Sequence, residues 1–167
     1  EFRRVLFRSN RADAAQPAQL AQVPAATARA AEMGMQFCHP YDDPVVVAGQ
    51  ATLGLELIAD IPDLRRVIVP LGGGGLASGV ALAVKQHDPS IHVIGVQVEA
   101  CAPYANEQPP TGPIITLADG IAVKKPGRFT RPLVEKWIDD IVVVDEDAVA
   151  AEFARYTAHY GIEPETR

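Results

Sequence analysis

The sequence predicts an α/β protein, a doubly wound and mainly parallel sheet with helices laid across it. Three observations carry that expectation. Val67-Ile68-Val69-Pro70-Leu71 is an apolar, β-branched run that enters four consecutive glycines, Gly72 to Gly75, and a long apolar helix pattern from Leu76 leaves them. A second near-continuous apolar strand follows at Ile91 to Val98, and a third at Ile141 to Val144. Apolar strands flanking a helix are the pattern of a βαβ unit, whose parallel sheet is covered on both faces and whose crossover is right-handed.

The elements follow in order. Glu1 to Ser9 carries three arginines and no helical cap, and is set aside as a cloning or sequencing scar. Residues 10–34 read as the end of an upstream element or a linker: Asn10 to Pro24 is rich in Ala, Gln and Pro and predicts loop, and Ala25 to Met33 predicts a short helix ending at Gly34. The binding domain is expected over residues 35–160. Met35 to Cys38 predicts a strand stopped by His39-Pro40, and Asp42-Asp43-Pro44 predicts an acidic cap before a helix with proline in its first turn, running to about Asp60. Pro62-Asp63 turns the chain into the strand Arg66 to Pro70. The helix after the glycines runs to about His87, where Asp88-Pro89 ends it. Cys101 to Gly112, with three prolines, predicts irregular chain or a short helix plus loop, and Ala118-Asp119-Gly120 predicts a turn. Leu133 to Trp137 predicts a short helix, and Asp145-Glu146 opens a last one to about Tyr160. Gly161 to Arg167 reads as a truncated tail, so the sequence reads as an internal piece of a longer chain.

The glycine loop is the feature most suggestive of function. Without Cβ atoms the backbone takes positive φ and approaches a ligand closely. The first amides of the helix, around Gly74 to Ala77, have no intrahelical acceptor, and the helix dipole favours an anion there. A tight turn alone needs one or two glycines; four predict a bound phosphate or carboxylate. An ATP-type loop requires a lysine just after the glycines, and Leu76-Ala77-Ser78 supplies none before Lys85. Gly72-x-Gly74-x-x-Ala77, with Glu99 ending the next strand, satisfies a dinucleotide fingerprint and keeps an NAD-binding Rossmann domain open as an alternative.

Bulk properties narrow the classes. The formal net charge is −6 and no basic cluster lies in the part expected to fold, which argues against nucleic acid as a partner. No apolar stretch approaches the roughly 20 residues that span a bilayer. Cys38 and Cys101 are too few for a disulfide framework and point to a reducing, cytoplasmic setting.

His39-Pro40-Tyr41-Asp42-Asp43-Pro44, Ala48-Gly49-Gln50-Ala51-Thr52, Pro70 to Gly79 and Ala118-Asp119-Gly120-Ile121-Ala122-Val123 follow one another at set intervals. In this order they resemble the threonine ammonia-lyase (threonine dehydratase) and serine racemase branch of the fold type II pyridoxal-phosphate enzymes, over roughly Ala30 to Ala151. Ile121-Ala122-Val123-Lys124 is most similar to threonine ammonia-lyase. The resemblance implies the larger domain of such an enzyme, present in part, with pyridoxal 5'-phosphate as cofactor. Backbone amides of Gly72, Gly73, Gly74, Gly75 and Leu76 would hold the phosphate, and Gly120 would lie beside the cofactor ring. The implied reaction is α,β-elimination of L-threonine to 2-oxobutanoate and ammonia, with isoleucine biosynthesis as a setting and a homo-oligomer as the full-length enzyme. Serine dehydratase and serine racemase are the nearest alternatives. A non-catalytic phosphate-binding fragment is the alternative of another class.

The same resemblance implies what is missing. The family's Schiff-base lysine lies in a Ser-x-Lys-x-Arg-like motif upstream, and none of Lys85, Lys124, Lys125 and Lys136 has that context. No catalytic residue is therefore assigned, and the segment alone is expected to be inactive. Glu99 matches a divalent-cation carboxylate of serine racemase-like members, but Ala105 stands where its partner is expected; a mono- or divalent cation at Glu99 is a further expectation. His39 is expected to be structural rather than a base, and Cys38 and Cys101 small packing residues. Asp139-Asp140 predicts a turn cap, Lys124-Lys125 a solvated pair, and Glu163-Pro164 carries no assignment.

Overall fold

The computed structural model describes residues 19–106 and 110–161, in two compact units, Glu1–Pro40 and Tyr41–Arg167. The expectations for residues 1–18 and for Glu163-Pro164 fall outside the described residues.

The first unit contains helix α1, Gln19–Glu32, so the loop expected up to Pro24 is helical from Gln19, with Pro24 inside the helix. Proline removes one backbone bond there, and the alanines that follow it are the strongest helix formers. α1 ends where its glycine predicts. Gly34 takes φ +63°, its N–H donates to the Ala31 carbonyl (3.1 Å), and the Met35 N–H donates to the Ala30 carbonyl (2.8 Å), a Schellman cap. Met35 to Cys38 does not form the expected strand. The three described strands pair only with one another, and an extended run without a partner has no ladder for its backbone groups.

In the second unit, α2 spans Pro44–Asp60. Asp43 is its N-cap, accepting from the N–H groups of Val45 (2.7 Å) and Val46 (3.4 Å), with Pro44 in the first turn where no donor is needed. Strand β1 (Arg66–Pro70), helix α3 (Gly75–His87) and strand β2 (His92–Val98) form the βαβ unit. A 3-10 turn at Asp119–Ile121, helix α4 (Thr130–Trp137), strand β3 (Asp140–Val144) and helix α5 (Glu146–Tyr160) follow. The strands lie in the order β1-β2-β3, all parallel, with Val67 opposite Val93 and Gly95 opposite both Val69 and Ile141.

The core lies on one face of the sheet, where Val67, Val69 and Val93 meet Ala77, Val80, Ala81 and Val84 of α3 and Val134 of α4. Each fully buried valine contributes about 1.5–3 kcal/mol. α2 packs on α3 through glycine. A Cβ at Gly79 would stand 2.5 Å from the Val47 carbonyl oxygen, and one at Gly54 2.7 Å from Ala83 Cβ, so the helices sit closer than side chains permit. The expected cover on both faces holds for one. On the opposite face Ile68 is 65% exposed and Val142 44% exposed. Apolar strand composition records what a face is suited to meet, not what covers it. Among the described residues, no helix is long and apolar enough to cross a membrane.

Candidate functional site

β1 ends at Pro70, and Leu71 continues its pairing with an N–H bond to the Val96 carbonyl (2.8 Å). The chain then turns through Gly72 to Gly74 into α3. Gly74 is the N-cap, with φ +95° in the left-handed region and no capping side chain. The loop thus lies at the C-terminal end of a parallel strand, where doubly wound sheets bind their ligands. The amides opening α3 carry the partial positive charge that favours an anion.

The four glycines are crowded by Ile121, Tyr41 and Tyr104. A Cβ on Gly72 would lie 3.0 Å from Ile121 Cα, and one on Gly73 would overlap the Tyr41 ring. On Gly74 it would stand 2.5 Å from the Tyr104 hydroxyl, and on Gly75 3.0 Å from the Tyr41 backbone. Packing of the chain's own atoms thus already demands glycine at Gly73 and Gly74 and crowds Gly72 and Gly75. Gly120 differs. It is exposed, its φ is ordinary, and nothing lies within 4 Å of its missing Cβ. The structure does bring the Asp119–Ile121 turn against Gly72, so two segments singled out in the sequence and far apart along it share one site.

Behind the loop is a polar frame that sequence reading missed. Gln97, fully buried on β2, donates from Nε2 to the Leu71 carbonyl (3.1 Å). Its Oε1 accepts from the N–H groups of Tyr104 (3.0 Å) and Ala105 (3.1 Å). The hydroxyls of Thr130 (2.6 Å) and Tyr104 (3.2 Å) both donate to the Gly73 carbonyl. Burial pushes the Tyr104 phenol up to about 12, so it remains a donor across the physiological range. Burial, with Asp42 nearby, likewise raises the Tyr41 phenol. Asp42 is not a second cap for α2. It reaches the start of α4 and accepts from the N–H groups of Arg128 (2.8 Å), Phe129 (2.8 Å) and Thr130 (3.2 Å). One signal was available: Gln97 is a lone amide in an apolar strand, and a buried amide needs partners.

The remaining candidates lie elsewhere. Glu99, exposed at the end of β2, borders a shallow depression of about 360 Å³ with Asp145, Glu146 and Asp147. Among the described residues no three His, Cys, Asp or Glu side chains gather as a metal site. Cys101 is buried, and burial raises its thiol. Cys38 is exposed. Asp139 and Asp140 are not a turn cap. Asp139 pairs with Lys85 (2.7 Å) and accepts from the Val93 N–H (2.7 Å), while Asp140 begins β3 and meets His92 Nε2 (2.7 Å). Lys124 donates to the Gly112 carbonyl (2.7 Å), and Lys136 lies over the Trp137 ring, 4.4 Å from its centroid.

A parallel sheet whose first strand opens through a glycine loop onto a helix N-terminus defines the class: an α/β fold with a glycine loop at its strand ends. The sequence profile of the family described as pyridoxal-phosphate dependent enzyme matches residues 5–166, and the chain belongs to that family. It is 46% identical over 125 residues to an L-threonine ammonia-lyase of Geobacter sulfurreducens, covering 71% of this chain and 31% of that protein. It is 47% identical over 121 residues to the catabolic L-threonine dehydratase TdcB of Escherichia coli K12, covering 70% and 37%. Among solved structures, the processed form of threonine deaminase isoform 2 from Solanum lycopersicum superposes with a TM-score of 0.77 at 30% identity, over 85% of this chain and 40% of that one. Maize serine racemase superposes at 0.76 and 30% identity, over 87% and 47%. The chain thus spans about a third of the length of the curated relatives it matches.

The residues present fit the cofactor of this family. The four glycines themselves present only backbone, no side chain caps the start of α3, and among the described residues nothing lies within 4 Å of where a Gly120 Cβ would stand.

Proposed function

We propose that this chain is the phosphate-holding part of a pyridoxal-phosphate dependent L-threonine ammonia-lyase, converting L-threonine to 2-oxobutanoate and ammonia by α,β-elimination. The glycine loop carries the reading: Gly74 turns in the left-handed region and presents the first amides of α3, in a chain 46% identical to a named L-threonine ammonia-lyase. The backbone N–H groups of Gly72 to Gly75 and Leu76 would hold the phosphate, and Gly120 would leave room for the ring. When bound, the cofactor supplies the electron sink for loss of the α-proton.

This chain's own part is to anchor and orient. Lys85 pairs with Asp139, Lys124 donates to the Gly112 carbonyl and Lys136 lies over the Trp137 face. None of these, nor Lys125, has the family's Schiff-base context, so the reacting lysine is assigned to residues outside this segment. The segment by itself is accordingly inactive. A cytoplasmic, homo-oligomeric enzyme completes the proposal. Isoleucine biosynthesis gains no support from the relatives, one of which is named catabolic. Serine is the second substrate reading, favoured by the superposition on maize serine racemase.

Turnover by the full-length protein tests the proposal. Incubated with L-threonine it should release 2-oxobutanoate with a higher kcat/KM than pyruvate release from L-serine. Racemisation of serine without threonine turnover would move the assignment to the second reading, and activity on neither would reject both.

A further inference from the structure

We propose that Thr130 and Tyr104 are positioning residues for the cofactor phosphate, holding the peptide between Gly73 and Gly74 in its anion-accepting orientation. The inference rests on the reading of the loop as the phosphate site. Both hydroxyls donate to one acceptor, the Gly73 carbonyl, Thr130 at 2.6 Å and Tyr104 at 3.2 Å. A carbonyl oxygen has two lone pairs, and here both are used. In a trans peptide the N–H points opposite to the C=O, and no peptide bond among the described residues is cis, so the Gly74 N–H points away from the two hydroxyls.

A flip of this peptide would break both hydroxyl bonds and turn an oxygen towards the ligand in place of a donor. Gly74, at φ +95°, is where such a flip is sterically easiest, so the loop's glycine freedom has to be removed by something else. Hydrogen bonds accepted by the carbonyl also polarise the amide and strengthen its N–H as a donor. The two hydroxyls are themselves fixed. Thr130 is fully buried and its N–H donates to Asp42 (3.2 Å). The Tyr104 backbone is held by the buried Gln97 (3.0 Å).

The test compares pyridoxal phosphate with pyridoxal, which lacks the phosphate, on the full-length protein. Thr130→Val and Tyr104→Phe should each weaken pyridoxal phosphate binding roughly three- to tenfold, the loss of one hydrogen bond. Binding of pyridoxal should stay unchanged, and Thr130→Ser should retain wild-type affinity for the phosphate form. Should Thr130→Val fail to fold, Tyr104→Phe carries the comparison. Wild-type affinity in the variants, or equal losses for both ligands, would show that the hydroxyls only support the fold and would overturn the inference. If the wild-type protein binds neither pyridoxal phosphate nor inorganic phosphate, the reading of the loop fails, and this inference with it.

Discussion

At the scale of single residues, the glycines divide by what demands them. Gly73 lies under the Tyr41 ring, and Gly74 combines a left-handed φ of +95° with the nearby Tyr104 hydroxyl. For an alanine the left-handed region alone costs about 1–2 kcal/mol. Gly120 has ordinary φ and open space around it. Gly74→Ala should therefore lower the stability of the cofactor-free protein by about 2 kcal/mol or more, counting the crowded Tyr104. Gly120→Ala should change it by less than about 0.5 kcal/mol yet weaken cofactor binding. Denaturant unfolding of both variants without cofactor, paired with a cofactor titration, separates the two demands. A large stability loss in Gly120→Ala would show that the chain itself needs that glycine. Residue-level meaning was legible where it is local, as in the Asp43 cap and the Gly34 stop. Asp42, one position earlier and the same residue type, serves amides 86 to 88 residues away, and no local pattern encodes that.

At the scale of elements, the βαβ unit was readable because its strands are β-branched and its helix follows glycine. Strand β1 starts and ends at the expected residues, and α3 and β2 begin within one residue of theirs. α1 was cut short in the reading because Pro24 signals a break, and the strand expected at Met35 to Cys38 has no described neighbour to pair with. The joint between elements was hidden. Asp139, just before β3, ties the end of α3 through Lys85 (2.7 Å) to the start of β2 through the Val93 N–H (2.7 Å). Burial opposes its ionisation, but the bonds from Lys85 and Val93 outweigh burial and hold the carboxyl below the usual carboxylate range. A carboxyl with a lowered folded pKa stabilises the fold above its unfolded pKa of about 3.9 and loses that contribution as pH falls through the folded value. The unfolding free energy of the wild type should therefore fall below about pH 4, and Asp139→Asn should be less stable at neutral pH with a flatter acid limb. Identical acid limbs in the two proteins would place the sensitivity elsewhere.

At the scale of the whole molecule, the second unit is a three-stranded parallel sheet with its core on one face. Ile68 and Val142 leave an apolar face open on the sheet, and the chain spans about a third of its curated relatives. The family was legible in the sequence from its ordered motifs, and there the glycine run stood as the sign of a ligand. The structure adds that the N-terminus of α3 has no capping side chain and that the Cβ position of Gly120 is open. In the function proposed, this segment anchors a cofactor whose reacting lysine lies outside it. Borohydride reduction of the full-length protein loaded with pyridoxal phosphate, followed by peptide mass spectrometry, puts that division of labour to the test. A visible absorption band should disappear, and a phosphopyridoxyl label should appear on a lysine other than Lys85, Lys124, Lys125 and Lys136. A label on one of those four, or no band and no label at all, would contradict it.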